Sequence, residues 1–279
     1  MTYSRINTIT GWLCFFIAAV TYILTLDPSA SFWDCGEFIA SAFRLEVVHQ
    51  PGAPLVSMIQ RLFSTLAFGD LTKVAYFMNI ASAMASATTI LFLFWTITAL
   101  GKRTLVKQEE EINTSKTITI IGAGLVGALA YAFSDSFWFS AVEAEVYAMS
   151  SLCTAIALWG ILKWESQADK PRADRWLAFV AYIIGLSIGV HLLNLLVIPA
   201  VIFVYYFRKT PNPTNKGIIK TFIFSIATLA FVQFGIIQYT VSTAAYFDLF
   251  FVNILGLGFG TGVLFFAILF SNSSNWDLL

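Results

Sequence analysis

SFWDCGEFIASAFRLEVVHQPGAPL, residues 31–55, is a polar interruption in a chain that is otherwise apolar enough to lie in lipid. It carries charged and titratable side chains at close spacing, namely Asp34, Glu37, Arg44, Glu46 and His49. The segment follows directly on the first long hydrophobic stretch, so it must emerge at a membrane surface. We therefore expect residues 31–66 to form one or two short helices along that surface, because their polar density forbids burial in lipid.

The composition excludes a soluble domain. The hydrophobic fraction is 58% and the charged fraction is 11%, whereas soluble domains average about 25% charged residues. Repeated Leu, Ile, Ala and Phe runs are typical of helices rather than of the alternating strands of an outer-membrane barrel, so the sequence predicts an all-α polytopic membrane protein. The net charge of zero gives no reason to expect a nucleic-acid partner.

About eight apolar segments can be compared with the ~20 residues that a spanning helix needs. They are 9–26, 74–100, 117–134, 141–164, 177–190, 192–207, 218–241 and 246–271. No soluble domain, linker or internal repeat interrupts them, so we expect a single transmembrane domain over residues 1–279. The polar tail at 271–279 stops without a closing element, which indicates the N-terminal module of a longer protein.

The lysine and arginine residues predict the topology. They cluster around residues 102–116, 163–175 and 208–220, and Arg5 precedes the first segment. The positive-inside rule places these clusters on the cytoplasmic side. An even number of crossings must then separate neighbouring clusters. Residues 177–207 are therefore interpreted as two short crossings that turn near His191, rather than as one tilted helix.

This topology leaves the polar side chains that could act in catalysis or binding on the outer face of the membrane. They are Asp34, Glu37, His49, Asp135, Glu143, Glu145, Tyr147, His191, Asn194 and Asp248. The sequence thus predicts a multi-pass protein of a plasma or inner membrane with its site on the extracytoplasmic side. The cytoplasmic loops carry ordinary solvated charge.

Asp34 and Glu37 are three residues apart, so on a helix both carboxylates share a face and could line one cavity. The alternative is a capping box, in which Asp34 caps a helix that starts before Phe38 and Glu37 bonds back. A residue that caps a helix can still present its carboxylate to a cavity. The spacing alone therefore leaves both interpretations open.

The sequence His49-Gln50-Pro51-Gly52-Ala53-Pro54 predicts a rigid turn. Its prolines restrict the backbone, Gly52 permits a sharp bend, and Pro54 can start a helix over residues 55–66. Such a turn would hold His49 near the two acids. A plain interfacial turn with a surface histidine is the alternative.

Two further clusters start or interrupt later apolar segments. Glu143 and Tyr147 would share a face of the fourth helix, with Glu145 pointing elsewhere, and ionised groups at such positions usually line a wet cavity or a functional site. The alternative is a helix start whose acids favour the N-terminal dipole. His191 and Asn194 lie three apart in an apolar stretch, where an interhelical hydrogen bond is the competing interpretation.

The order of these motifs resembles the GT-C superfamily of membrane glycosyltransferases, which take sugar from a polyprenyl-phosphate carrier. Within it, FWDCGEF at Phe32–Phe38 and HQPGAP at His49–Pro54 are most similar to the DUF2723 family, related to the TMEM260 protein O-mannosyltransferases. The topology matches over essentially the whole chain, and the sequence matches in these two motifs. Gln50 stands where the family usually has proline, and proteins of the family usually continue well beyond this length.

The resemblance implies a GT-C-like helix bundle and a role for each candidate residue. Asp34 and Glu37 would be catalytic, with Asp34 as the general base that removes the proton of the acceptor hydroxyl. Glu37 and His49 would orient acceptor or donor, and Arg44 or Arg61 would neutralise the carrier phosphate. The other implied substrate-binding residues complete the pocket and are Glu143, Glu145, Tyr147, His191 and Asn194.

The implied reaction moves a sugar, with mannose as the candidate, from a polyprenyl-phosphate donor to a hydroxyl acceptor such as Ser or Thr of a protein. The implied partners are membrane lipid, the lipid-linked donor and a protein or glycan acceptor. Paired acids could also hold Mg²⁺ or Mn²⁺, but several GT-C relatives use no metal, so this stays open. The alternative function is a transporter or flippase of lipid-linked sugar. Transporters place ionisable groups near the midplane and often have repeated halves, so acids at one interface favour the enzyme.

Overall fold

A computed structural model of the chain describes residues 2–50, 52–106, 111–265 and 268. This part of the chain is helical and contains no strand, and six of its helices are long and apolar enough to cross a membrane. The protein is therefore an all-α, multi-pass membrane protein, as predicted. Pro51, the charged residues within 107–110 and the tail 271–279, which the sequence analysis used, lie outside the described residues.

The chain divides into two compact units, residues 1–213 and 214–279. The helices of the first unit are α1 (Tyr3–Leu24), α2 (Cys35–Arg44), α3 (Pro54–Ser64), α4 (Val74–Leu105), α5 (Thr114–Ala132), α6 (Asp135–Ala141), α7 (Val146–Gln167), α8 (Arg175–Ile188) and α9 (Val197–Lys209). Short 3₁₀ helices at Thr65–Ala67, Leu71–Lys73 and Leu192–Leu196 join some of them. A single domain over residues 1–279 stays a prediction.

Helix α4 is the centre of the first unit and packs against α1, α5 and α7. Its buried face is rich in Ala and Ser, whose small side chains let neighbouring helices approach closely. Gly124 of α5 shows how close the approach is. A Cβ at this position would come within 2.6 Å of Thr98 and 2.8 Å of Phe94, so a larger residue would push α5 away from α4.

The contacts between helices define two ends of the first unit. At one end, the hydroxyl of Tyr22 in α1 donates to the carbonyl of Ala132 in α5 at 2.8 Å. At the other end, Lys102 of α4 lies over the ring of Tyr3, and Arg103 of α4 pairs with Glu165 of α7. We call the end with Lys102 and Arg103 the basic end. The end with Tyr22, where α2, α3 and the start of α7 lie, is the acidic end.

Residues 175–209 run to the acidic end and back. Val180 of α8 packs at Gly160 of α7, and the carbonyl of Gly189 accepts the N–H of Leu55 at the acidic end, at 2.9 Å. Helix α9 then returns, and Tyr205 stacks on Trp164 near the basic end. The predicted turn near His191 between two short helices is therefore observed, while their crossing of a membrane stays a prediction, because α8 is shorter than the helices that qualify as spans. The side of the membrane on which this turn lies stays a prediction.

The segment 31–66 forms α2 and α3, so the expected pair of short helices is confirmed. Pro54 begins α3, as its lack of an N–H and its fixed φ favour. The apolar side chains of this segment pack on α4 and the start of α7 in one buried cluster that includes Phe38, Val48, Val56 and Ala81. This packing fixes α2 and α3 on the acidic end of the bundle.

In the second unit, a continuous helical stretch covers Asn215–Asn253. It consists of α10 (Asn215–Ala230), a π-helical segment (Phe231–Gln238) and α11 (Tyr239–Asn253). The predicted break between segments 218–241 and 246–271 is wrong, because residues 241–246 contain no Gly or Pro to end a helix. Asp248, predicted as an outer polar group, accepts N–H groups of Gly260 and Gly262 at 3.0 and 2.9 Å, so it holds the following turn.

Candidate active site

Asp34 stands immediately before α2 with its side chain free. Its φ and ψ of −83° and −5° are already helical, and its carboxylate accepts no cap hydrogen bond from the helix. The preceding Trp33 has φ of 61°, a left-handed conformation that is unfavourable for a bulky residue. The capping-box interpretation is therefore wrong. The chain turns sharply at Trp33 and leaves the Asp34 carboxylate 58% exposed.

Glu37, one turn further along α2, holds His49 through two contacts. The backbone N–H of His49 donates to Oε1 of Glu37 at 2.6 Å, and His49 Nδ1 lies 2.9 Å from Oε2. The hydrogen bond to the His49 side chain lowers the pKa of Glu37, and the same bond raises the pKa of His49. The pair therefore favours a charged carboxylate and a charged imidazole at mildly acidic pH.

The backbone between α2 and α3 is shaped to return His49 to Glu37. Leu45 ends α2 in the left-handed conformation, with φ of 57°. Gly52, at φ of 94°, closes a turn in which its N–H donates to the His49 carbonyl at 2.8 Å. A left-handed φ strongly favours glycine, which explains Gly52. The turn thus positions His49 against α2 and is more than a surface loop.

A cavity of about 100 Å³ lies where this turn meets the start of α7 and the turn after α8. The sequence-predicted residues that line it are Asp34, His49, Glu145, Tyr147 and His191. His49 Nε2 is 4.0 Å from Asp34 Oδ2, and the rings of Tyr147 and His191 are 5.6 Å apart. Residues from three distant parts of the sequence therefore share one small cavity at the acidic end.

Glu143 and Glu145 are placed differently from the prediction. Helix α7 begins at Val146, so Glu143 is not on the helix and does not share a face with Tyr147. Glu145 is the residue that lines the cavity beside Tyr147. The prediction assumed helical spacing, but the chain bends at 142–145 before the helix begins. Because of this bend, Glu145 takes the place beside Tyr147 that was predicted for Glu143.

Beneath the cavity, Glu143 and Glu145 lie with Cys35 in a buried group whose ligand-type atoms are all within 4.8 Å of one another. Burial, followed by the Glu143 carboxylate, raises the pKa of the Cys35 thiol and that of Glu145. Glu143 Oε2 has no hydrogen-bond partner in the described part of the chain. Among the described residues no lysine or arginine pairs with either acid, so this charge is uncompensated.

His191 and Asn194 have separate roles. His191 lines the cavity, its Nδ1 accepts the N–H of Leu193 at 3.2 Å, and burial lowers its pKa. Asn194 is buried, and its Oδ1 accepts the hydroxyls of Ser150 and Thr154 at 2.8 and 2.9 Å. Asn194 thus makes the interhelical hydrogen bond that was the alternative interpretation. It ties the turn after α8 to α7.

Arg44 and Arg61 do not line the cavity. Arg44 is exposed and pairs with Glu46 at 3.8 Å. The guanidinium of Arg61 lies 4.8 Å from the centre of the Phe43 ring and donates to Ser64 at 3.3 Å. Their contact with a carrier phosphate stays a prediction.

Two buried polar residues escaped the sequence analysis. Cys35 stands in the polar stretch 31–55, yet it is fully buried with the two glutamates. Its spacing to Phe38 and Ala42, three and seven residues on, places it on the apolar face of α2 and could have revealed this. Gln60 of α3 is also fully buried, and neither atom of its amide has a partner in the described part of the chain.

Comparison with known proteins gives one family match. The family model of the Protein O-mannosyl-transferase TMEM260 N-terminal domain matches residues 34–214, a span that starts at Asp34 and includes every residue that lines the small cavity. No solved structure matches the chain.

Curated relatives are similar at low identity. The chain is 24% identical over 224 residues to the protein O-mannosyl-transferase tmem260 of Dictyostelium discoideum, which covers 76% of this chain and 25% of that protein. It is 27% identical over 227 residues to the mouse protein O-mannosyl-transferase TMEM260, which covers 79% of this chain and 29% of that protein. The chain thus spans between a quarter and a third of the length of these relatives.

Proposed function

This chain belongs to the family of the Protein O-mannosyl-transferase TMEM260 N-terminal domain, and from that premise we propose that it carries the catalytic site of a membrane glycosyltransferase. The proposed reaction moves a sugar from a polyprenyl-phosphate carrier to a hydroxyl of a protein acceptor. Mannose is the proposed sugar because the curated relatives are named protein O-mannosyl-transferases. Serine or threonine is the proposed acceptor residue, since the linkage is through oxygen.

The observation that carries the proposal is the small cavity at the acidic end. The exposed Asp34 carboxylate, the His49 ring held by Glu37, the buried Glu145 carboxylate and the His191 ring meet there. A flippase would need such groups along a path through the bilayer. In the described part of residues 1–213 the charged side chains concentrate at the two ends of the bundle, which favours the transferase.

Asp34 is the proposed general base. The acceptor oxygen forms a bond to the anomeric carbon of the sugar while the bond from that carbon to the phosphate oxygen breaks. The phosphate leaves with the bonding electron pair, and the hydroxyl proton moves to the Asp34 carboxylate. Its side chain is 58% exposed and makes no capping hydrogen bond to α2, so the carboxylate is available to accept the proton.

His49 is the proposed contact for the donor phosphate. It is the titratable cation nearest to Asp34 among the described residues, and Nε2 faces the cavity while Nδ1 is held by Glu37. A charged imidazole can donate to a phosphate oxygen as negative charge develops on the leaving group. Glu37 is then a positioning residue. Glu145, Tyr147 and His191 would contact the sugar or the acceptor from the opposite wall.

A divalent cation is the alternative to a charged His49 at this site, because an imidazole that binds a metal must be neutral. Asp34, Glu37 and His49 present ligand atoms within 4.8 Å of one another at the cavity, and two carboxylates suit Mg²⁺ or Mn²⁺. The buried group with the Cys35 thiol suits a softer metal. A bound Mg²⁺ or Mn²⁺ would neutralise charge on the phosphate. Loss of transfer in EDTA and its rescue by either ion would support this, and full activity in EDTA would exclude it.

The acidic end is proposed to face the extracytoplasmic side. The support is the basic end, where Lys102, Arg103, Lys163, Arg208 and Lys209 cluster, because cytoplasmic loops carry an excess of lysine and arginine. A cysteine replacing the exposed Lys170, in the loop after α7, should react with an impermeant maleimide only after the membrane is opened. Labelling in intact cells would reverse the proposed orientation.

The test of the proposed function is transfer of mannose from a polyprenyl-phosphate donor in membranes that express the protein. Asp34→Asn keeps the shape of the side chain but cannot take the proton, so we expect transfer to fall by about 10²–10⁴. Asp135→Asn is the matched control, since Asp135 is an exposed acid at the start of α6 that does not line the cavity. Near-normal transfer by Asp34→Asn would remove Asp34 from the mechanism.

A further inference from the structure

A second and larger cavity lies at the basic end of residues 1–213. Its volume is about 1270 Å³, and side chains from α1, α4, α7 and α9 line it. None of its lining residues belongs to the small cavity at the acidic end. The transfer reaction proposed above does not use it, so its chemistry requires a separate account.

The cavity carries two lysines whose charge is not neutralised. Arg103 and Arg208 are both occupied, because each pairs with Glu165, and Arg208 also pairs with Asp169. Lys102 and Lys163, in contrast, have no carboxylate partner among the described residues. They lie over aromatic rings instead, Lys102 at 5.9 Å from Tyr3 and Lys163 at 5.2 Å from Trp159. The lining therefore has an excess of two positive charges.

The wall deeper in the bundle is aromatic and has an unsatisfied amide. Trp95 and Trp159 lie with ring centres 6.1 Å apart, and Trp95 Nε1 donates to the Asn7 carbonyl at 3.4 Å. The side-chain oxygen of Asn7 is buried and has no partner in the described part of the chain. The lysines lie near the helix ends, and the two indoles lie deeper in the bundle. This order of groups matches a ligand that has an anionic head and an apolar body.

From this arrangement we propose that the basic-end cavity binds a phosphate-headed membrane lipid from the leaflet at the basic end. The lipid phosphate lies between Lys102 and Lys163, the apolar part contacts Trp95 and Trp159, and the Asn7 side-chain oxygen accepts a hydrogen bond from a hydroxyl of the head group. The apolar wall argues for a lipid over a free phosphate, which would leave the indoles uncovered. This site is independent of the transfer reaction and of the acidic-end cavity.

The test uses the purified protein in nanodiscs of phosphatidylcholine with a small fraction of brominated phosphatidic acid. Bromine quenches nearby tryptophan, so we expect stronger quenching than with an equal fraction of brominated phosphatidylcholine. Because both indoles contact the apolar part, Trp159→Phe should remove part of the difference and the double variant Trp95→Phe/Trp159→Phe should remove most of it, which assigns the difference to this cavity. Equal quenching by the two brominated lipids would overturn the proposal.

Charge variants decide whether the lysines hold the lipid. Lys102→Gln and Lys163→Gln should each weaken the apparent affinity about fivefold, the scale of one lysine near an anionic lipid, and the double variant should weaken it further. Lys170→Gln is the matched control, because Lys170 is exposed in a basic-end loop but does not line the cavity. An equal effect of the control, or none in the double variant, would contradict the proposal.

A competition arm separates a lipid from a soluble ligand. Inorganic phosphate added to the nanodiscs should leave the quenching by brominated phosphatidic acid nearly unchanged, since it has no apolar part to contact the indoles. Full displacement by inorganic phosphate would show that the cavity takes free phosphate and would overturn the lipid assignment. Mannose transfer is measured in the same variants, and we expect it to be unchanged.

Discussion

The two ends of the bundle in residues 1–213 differ in whether their acidic side chains are paired with cations. At the basic end, Glu165 is shared between Arg103 and Arg208, so its carboxylate, 12% exposed, is compensated by two cations. At the acidic end, Glu143 and Glu145 are buried with no lysine or arginine beside them in the described residues. Paired charge stabilises a fold, whereas unpaired buried charge costs stability and is retained where a ligand uses it.

The largest stability effect is expected at Glu165. Glu165→Gln leaves two guanidinium groups without their shared carboxylate, and we expect a loss of about 2 kcal/mol. This is below the ~3–5 kcal/mol of a fully buried pair, because Arg103 is 57% exposed and water screens it. The measurement is the melting temperature of the protein in detergent, followed by size-exclusion chromatography after heating.

Asp169→Asn is the matched variant for this effect. Asp169 also pairs with Arg208, but its side chain is 82% exposed, so its loss should change the melting temperature little. If Glu165→Gln and Asp169→Asn had equal effects, the basic-end network would be ordinary surface charge, and the contrast between the two ends would disappear.

The second prediction concerns Glu37 and His49, which should affect transfer rather than folding. Glu37→Gln and His49→Gln should each lower the transfer rate roughly tenfold, below the ~10²–10⁴ of a general base, because Glu37 acts through His49 and neither residue takes the proton. The double variant should be no worse than either single one, since the two act as a unit. The product of two separate losses would show that they act independently.

The architecture of this bundle was largely predictable from the sequence because it follows from hydrophobicity and charge. The positions of Lys and Arg indicated that the chain turns back within residues 177–207, and contacts of Val180, Gly189 and Tyr205 show this reversal. The density of polar residues in 31–66 likewise predicted α2 and α3. These patterns extend over whole helices, so an error of a few residues does not change the result.

The site was predictable only as a set of residues, because its geometry depends on single backbone bends. The bend at 142–145 decides that Glu145 and not Glu143 lines the cavity, and no periodic pattern reports such a bend. The left-handed conformations of Trp33 and Leu45, neither a glycine, were equally invisible in the sequence. They leave Asp34 free of its helix and return the chain to Glu37.

The third prediction follows from the uncompensated acids. Glu145→Gln keeps the shape of the side chain and removes its charge, so it should stabilise the fold by about 1 kcal/mol, the scale of one buried polar change. Transfer should fall in the same variant. The melting temperature and the transfer rate are measured together. A less stable Glu145→Gln would show that the charge is compensated, either by His49 or by groups outside the described residues.

The smallest expected effect is the pH dependence of the Glu37–His49 pair. The raised pKa of His49 means that its stabilising contribution is full below its ordinary value of 6.5 and is lost as the pH rises through the raised value. The lowered pKa of Glu37 means that its contribution is present above 4.5 and is lost as the pH falls. The turn at His49 should therefore be held most firmly between about pH 4.5 and 6.5.

The two histidines of this chain make the measurement direct. In metal-free protein labelled with ¹³C-histidine, the NMR signal of His49 should titrate above pH 6.5, because Glu37 stabilises the charged ring. The signal of His191 should titrate below 6.5, because burial disfavours its charged form. His191→Asn assigns the two signals, and Glu37→Gln should move His49 back toward 6.5 without moving His191. Two histidines with one common midpoint would mean that the acidic end neither pairs His49 nor buries His191, and the site geometry would have to be abandoned.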